Sequence, residues 1–456
     1  APHEEPRTST RRPSGLVVPV TQVRFERAIL FGLPALAGVA VAFAVAGPGA
    51  RRPVEFARVR GVVVAGASRV ALRVEALRRY EELEAPAAGP VELECASEER
   101  VVVVKGEARS DGFVELAFTL ERPLASTARL TIRRNGKVLA RGEVRGRAAL
   151  EEIDARRCET FGEAAEFEVC VPRGLAVPEL PEQVTVTRRK RAEDASTANV
   201  TLEAAGAEVA KLHAPGSPLC SGGTCTESWA FSVTARAPAV PLDLEARVGG
   251  AVVAHHGDLP IQSGGLWLDP SWRSRGALLI RSSTPRTVAY ASLVSREGRV
   301  WGGLIPLRER PNGGAEGALS IEEVPSLDAG PMTLVLASDP QEPAGRAVSW
   351  PLGPGRRVDA PPLATLLDGT SEAVAREESR MRAVRTPVVG ATLVSAIAVL
   401  VTLVARARRA REALALHLAG RGVRPEGASS PLGLGLAVLA ALAVAFAVLA
   451  VVAARR

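Results

Sequence analysis

Chemistry in this 456-residue chain would have to start from few side chains. Of its five histidines, only His213, His255 and His256 fall in the long middle of the sequence. His255-His256-Gly257-Asp258 could be drawn as a base with its orienting acid, and Ser263 as a nucleophile. A triad is recognised by geometry, and no glycine elbow surrounds a serine here. The competing reading is a pair of turn histidines at a strand end. His255, His256 and Asp258 are the candidate catalytic residues, in a chain without a recognised enzyme motif.

The five cysteines are Cys95, Cys158, Cys170, Cys220 and Cys225. Cys220 and Cys225 bracket Ser-Gly-Gly-Thr, a loop that can meet disulfide geometry. Cys158 and Cys170 can close a second loop, which leaves Cys95 as a buried free thiol on the face of Val91 and Leu93. Structural zinc is the rival, but it needs paired Cys/His knuckles, and no second knuckle accompanies Cys220 and Cys225. Gly302-Gly303 and Gly313-Gly314 lack the downstream helix and Lys of a phosphate loop. No cofactor and no metal is expected. Trp267, Trp272 and Trp301 lie near one another along the chain. They are candidate partner anchors, with burial in a β core as the alternative.

The elements that must carry these residues divide by composition. Ala28 to Gly47, Pro387 to Ala405 and Leu432 to Ala454 are apolar and free of charge. About twenty helical residues cross about 30 Å of hydrocarbon. Arg24 and Arg27 precede the first run; Arg406, Arg408, Arg409, Arg411, Arg421 and Arg424 separate the other two. Arg-rich short segments stay inside, so the middle of the chain must lie outside. The first run is expected to be an uncleaved signal anchor, although Ala44-Val45-Ala46 has the small-x-small form of a cleavage site. Within the spans the polar side chains are Thr392, Ser395 and Thr402, unlike a conduit. Small residues recur at four-residue spacing (Gly38, Ala42, Ala46; Gly433, Ala437, Ala441), a pattern that lets helices pack closely.

The middle is rich in short strands. Phe113 to Leu120 alternates with period two. Asn135-Gly136 predicts a hairpin between Ala128–Arg134 and Val138–Val144, and Asp111-Gly112 predicts another after Arg100–Ala108. Further runs extend to Met332–Ser338. The fold class expected is a mainly β extracytoplasmic region, two or three consecutive immunoglobulin-like β-sandwich modules, with three transmembrane α-helices. In order these are a cytoplasmic tail (1–27), a first membrane helix (28–47), a first sandwich (53–148), a linker plus second sandwich with the disulfide loops (149–260) and a third sandwich (261–352). A stalk or helix (353–385), a second membrane helix (386–405), an Arg-rich cytoplasmic loop (406–430) and a third membrane helix (431–454) complete it.

Fifty-seven basic against 50 acidic residues give a net charge of +7, concentrated beside the apolar runs. Aromatics are 4% and no basic stripe occurs, which argues against a nucleic-acid partner. Arg11-Arg12-Pro13-Ser14 resembles a basophilic kinase site; a tail that only sets topology is the simpler reading. These features place the chain in a bacterial inner (cytoplasmic) membrane, N-terminus inside and bulk outside. It is expected to be a non-enzymatic binding or scaffold subunit of an envelope complex, in contact with the lipid bilayer and a protein partner in the membrane or periplasm. A sensor acting through a cytoplasmic partner and an extracytoplasmic hydrolase are the alternatives.

Overall fold

The computed structural model describes residues 20–47, 50–97, 100–213, 218–262, 265–311, 313–324, 330–343, 345–353, 355–421 and 442–443. The chain forms two compact units: Val54–Ala373, and the flanking segments Ala1–Pro53 and Val374–Arg456.

The first unit is mainly β. Its first module contains β1 (Val54–Gly61), β2 (Arg69–Tyr80), β3 (Leu83–Pro86), β4 (Gly89–Ser97), β5 (Arg100–Ala108), β6 (Phe113–Thr119), β7 (Thr127–Arg134) and β8 (Lys137–Arg145). β5-β4-β7-β8 form one sheet; β1, β2, β3 and β6 form the other. Val59, Leu72, Val74, Leu93, Leu116, Ile132 and Leu139 fill the space between them. Asn135-Gly136 does turn β7 into β8, with both residues at positive φ. Asp111-Gly112 does not close a hairpin: β5 pairs with β4, whereas β6 pairs with β2 in the opposite sheet. Gly112, at φ +81°, instead brings the chain against the Ala76 carbonyl, where a Cβ would stand 2.7 Å away. The turn chemistry is local, but the sheet its exit strand joins is set by packing.

After β9 (Glu152–Asp154) the second module is built from β10 (Arg157–Phe161), β11 (Phe167–Val171), β12 (Pro181–Arg191), β13 (Ala198–Ala204), β14 (Ala207–His213), β15 (Leu219–Ser221), β16 (Thr224–Ala235), β17 (Pro241–Val248) and β18 (Ala251–Asp258). The segment expected as a linker therefore already holds strands. One sheet runs β10-β11-β12-β16-β14, with β15 on β16; the other runs β13-β17-β18. Phe167, Trp229, Phe231 and Leu244 lie in their shared core.

The third module comprises β19 (Leu266–Leu268), a short helix α3 (Trp272–Arg275), and strands β20 (Ala277–Ser282), β21 (Val288–Ser295), β22 (Gly298–Pro306), β23 (Arg308–Glu309), β24 (Ala315–Ser320), β25 (Thr333–Ala337) and β26 (Val348–Pro351). Its sheets are β19-β20-β24-β23 and β22-β21-β25-β26, around Trp350, Trp267, Ile280 and Leu334. The chain then returns. β27 (Arg356–Val358) pairs with β9, and β28 (Ala364–Asp368) pairs with β1, with Arg58 opposite Asp368. The expected stalk is thus partly a strand of the first module, and its helix begins only at Thr370. Because β28 is antiparallel to β1, the chain enters and leaves the β unit at the same end of one sheet.

Among the described residues, the other unit holds two helical stretches long and apolar enough to cross a membrane. In the first, α1 (Val20–Arg27) passes through a π turn (Ala28–Gly32) into α2 (Leu33–Ala46). Pro34 explains the turn, since its ring cannot accept a regular helix against the Leu30 carbonyl. The second is α4 (Thr370–Ala419), continuous through Pro387. The two are tied at both ends. Glu26 meets Arg409 at 2.5 Å; at the other end the Arg52 amide donates to Glu377 (2.8 Å) and Arg380 donates to the Ala50 carbonyl (2.7 Å). The third run, 431–454, lies outside the described residues apart from Leu442 and Ala443.

Candidate functional site

β18 alternates, so His255 and His256 point to opposite faces. His255 stacks on Phe161 (4.9 Å between rings), and its Nε2 lies 3.1 Å from Glu159. His256 is 79% exposed, with Nδ1 2.6 Å from Asp243. Asp258 is exposed at the strand end. Asp258 and His255 line one cavity, about 20 Å³, with Arg157, Glu159 and Cys170. That volume holds about one water. Its lining contains no serine or threonine, and Ser263 lies outside the described residues. His255 and Asp258 share this cavity, and His256 is not in its lining.

The structure joins Cys158 to Cys170 and Cys220 to Cys225. Each bond links directly opposed residues, on β10–β11 and β15–β16. Glu168 completes a three-ligand group with the first pair, but both sulfurs are consumed by the bond. Cys95 is a buried free thiol, and desolvation pushes its pKa up to about 11.

The tryptophans lie in or against the core of the third module. Trp267 and Trp272 are buried and Trp301 is half-buried against the same core. Their neighbours belong to the chain itself. Arg173, from the second module, lies over Trp350 at 4.2 Å and over Trp267 at 5.3 Å. It also pairs with Glu182, whose side chain is 2% exposed. Leu175, Val177 and Leu180 from the same segment extend the core of the third module. The aromatic edge therefore locks the second module to the third.

A second joint links the first module to the third. Arg73 on β2 stands directly opposite Glu115 on β6, on the face of that sheet away from the module's core. β22 covers this face. Arg299 on β22 donates to Glu115 (2.8 Å) and to Ser292 on β21 (2.8 Å). Ser292 donates to Glu342 at 2.6 Å, and Arg73 donates to Glu342 at 2.9 Å and to Glu115. The result is a closed ring, Arg73–Glu115–Arg299–Ser292–Glu342, with both arginines essentially inaccessible. Burial alone would lower the Arg73 pKa, but the two carboxylates outweigh it and raise it. Glu342 sits at φ +47°, a conformation rare for a residue with a side chain. Gly302 makes the ring fit: a Cβ there would meet Arg299 and lie 2.6 Å from the Glu115 carboxylate.

Around the ring, Tyr290 donates to Asp111 at 3.2 Å. The Arg299 amide donates to the Val62 carbonyl at 3.0 Å, and Ser68 donates to Glu297. Val62, Val64, Leu150, Val294, Val335 and Val358 form an apolar cluster spanning both modules. Nothing in sequence spacing indicated this joint, since its members are spread over 270 positions; the paired glycines inside β22 were the one local signal.

No protein-family model and no curated protein matches the chain. Among solved structures, one match is the crystal structure of invasin, a bacterial integrin-binding protein. It is 11% identical, covers 62% of this chain and 56% of that one, and has a TM-score of 0.16. So low a score carries no functional argument, and the chain is described by its own architecture: a mainly β body joined to apolar helices.

Proposed function

We propose that this chain is a membrane-anchored binding or scaffold subunit, in which immunoglobulin-like modules form one rigid outer body on three membrane helices. The observation that carries the reading is the pair of buried joints. Flexible linkers would let three modules move independently, whereas here the first and second modules are each bolted to the third through desolvated charge and aromatic contacts. Such a body suits presentation of a fixed surface. The chain enters and leaves it at one end, as a membrane-held domain requires. The two disulfides suit an oxidising compartment. The Arg-rich helix ends that are remote in sequence from the β unit suit an inside location.

The surface we assign to a protein partner is the free edge of β5, where Val101 and Val103 are 59% and 50% exposed. An edge strand can accept an extended segment through its unpaired backbone groups. The full-length chain in mild detergent should recover a stoichiometric partner that Val103→Lys loses. A chain that stays alone and monodisperse, or a partner retained equally by the variant, refutes the assignment. The cavity beside His255 is too small for a polymer substrate, which favours binding over hydrolysis.

A further inference from the structure

The two ends of the helix pair differ in how far their arginines are paired. At the end next to the β unit in sequence, Glu377 accepts from Arg380 and from the Arg52 amide, and Glu378 pairs with Arg382 at 2.9 Å. Glu377 is held below the usual carboxylate range, chiefly by its hydrogen bond from Arg380. At the opposite end the Glu26–Arg409 contact brings two basic segments together. Arg24, Arg27, Arg406, Arg408 and Arg411 gather there, all exposed, and none makes an ion pair among the described residues. Among the described residues only Glu26 and Glu412 oppose them, and Glu26 is already used.

The spacing is specific. Arg24 and Arg27 are one helical turn apart, and so are Arg408 and Arg411, so each pair shares a face with Cβ atoms about 5–6 Å apart. Two guanidinium groups at that separation can both donate to one phosphate. Arg409 is turned toward the first helix by Glu26, and Arg411, two positions on, is rotated about 160° from it by helical geometry. Its side chain therefore stands on the face away from the first helix, at the level where the apolar run gives way to charge.

We propose that this basic collar binds the phosphate groups of anionic lipid headgroups, with Arg408–Arg411 and Arg24–Arg27 as two phosphate clamps. The proposal rests on the membrane reading above. A cation cluster flush with the end of an apolar span meets the headgroup layer, and each arginine near an anionic surface contributes a several-fold preference.

The test is native mass spectrometry of the full-length chain, released from detergent with added phosphatidylglycerol or phosphatidylcholine. Phosphatidylglycerol adducts should dominate, and Arg408→Gln with Arg411→Gln should cut that preference about 25-fold. Arg24→Gln with Arg27→Gln provides a second, independent variant should the first insert poorly. Arg382→Gln, where the arginine is already paired with Glu378, should change nothing. Inorganic phosphate added alone should not displace the lipid; if it does, the clamps are free-phosphate sites and the lipid assignment is overturned. Equal retention of both lipids by the unaltered chain also overturns it. Alkaline carbonate extraction separates the two claims. A chain released by carbonate defeats the membrane reading, whereas one retained without lipid preference defeats only this proposal.

Discussion

Gly302→Ala is the smallest change that should open the joint between the first and third modules. The added methyl would occupy the space of the Arg299 guanidinium and lie 2.6 Å from the Glu115 carboxylate. Arg299 is 0% exposed and cannot swing into water without parting the sheets. Breaking a buried pair by removing one partner costs about 3–5 kcal/mol. Alanine in a strand recovers about 0.5–1 kcal/mol of backbone entropy relative to glycine. The net expectation is a loss of about 2–4 kcal/mol at the joint. Hydrogen exchange should report it as faster exchange of β2 and β22 amides, with the core of the second module unchanged.

The decisive arm is a double-mutant cycle with Arg299→Met. Once the guanidinium is gone, the remaining close contact of the alanine methyl is with the Glu115 carboxylate at 2.6 Å, the far end of a flexible side chain no longer held by Arg299, so Gly302→Ala should add less to Arg299→Met than to the parent. The coupling should reach about 2 kcal/mol. As a control, Arg129→Gln removes a surface pair with Glu143 whose side chains are 69% and 68% exposed, and should stay within about 0.5 kcal/mol. Additive effects of Gly302→Ala and Arg299→Met, or unchanged exchange at β2 and β22, would refute the reasoning that Gly302 exists to admit the ring.

Three further outcomes are expected. Arg173→Leu strands the buried Glu182 carboxylate and removes the cation from Trp350 and Trp267, so the second and third modules should loosen by about 3–5 kcal/mol; tryptophan emission identical to the parent during denaturation would count against it. Iodoacetamide should leave the native chain unlabelled, because Cys95 is buried with its thiol pushed up to about 11. It should add one label after unfolding and four more after reduction; any second label before reduction excludes one of the disulfides. Acid should destabilise the β unit through Asp111. Burial pushes that carboxyl up, but hydrogen bonds from Arg109, the Phe113 amide and Tyr290 outweigh it and hold it below the usual range. Its stabilisation is complete above about pH 3.9 and is lost as pH falls through the lower folded value. Glu75 acts in the opposite sense, since burial raises it and protonation favours its folded form. Asp111→Asn should flatten the acid limb of a melting curve; a limb of unchanged slope excludes Asp111 as its source.

What the sequence made legible was the part of the fold written in short-range rhythm. Period-two alternation placed Phe113 to Leu120 on a strand, and Asn135-Gly136 announced its hairpin because that turn needs two residues at positive φ. The cysteine pairs were near enough in sequence for loop closure to suggest them. Pairing across more than 300 residues is a different matter. Leu363–Leu367 follows two prolines and precedes a helix, and nothing local says that it completes a sheet begun at Val54. Only the closing of β1's open edge fixes it there.

The joint was hidden for a more instructive reason. Along β2, Arg73 and Glu75 alternate with Leu72, Val74 and Ala76, which is the signature of a strand with one face in the core and one in water. Alternation distinguishes two faces, but it does not say that the polar one stays wet. Here β22 covers it, so charges that look like solvent-facing decoration become a desolvated ring in which each arginine must meet a carboxylate. The only sequence trace of that burial is on the partner strand, where Gly302 and Gly303 interrupt a β run at the point of closest approach. Trp267 carries the same lesson in apolar form: a residue type suited to gripping a partner was found gripping Arg173 of its own chain. A polar strand face opposite an interior glycine pair is therefore a place to look for a second module before looking for a ligand.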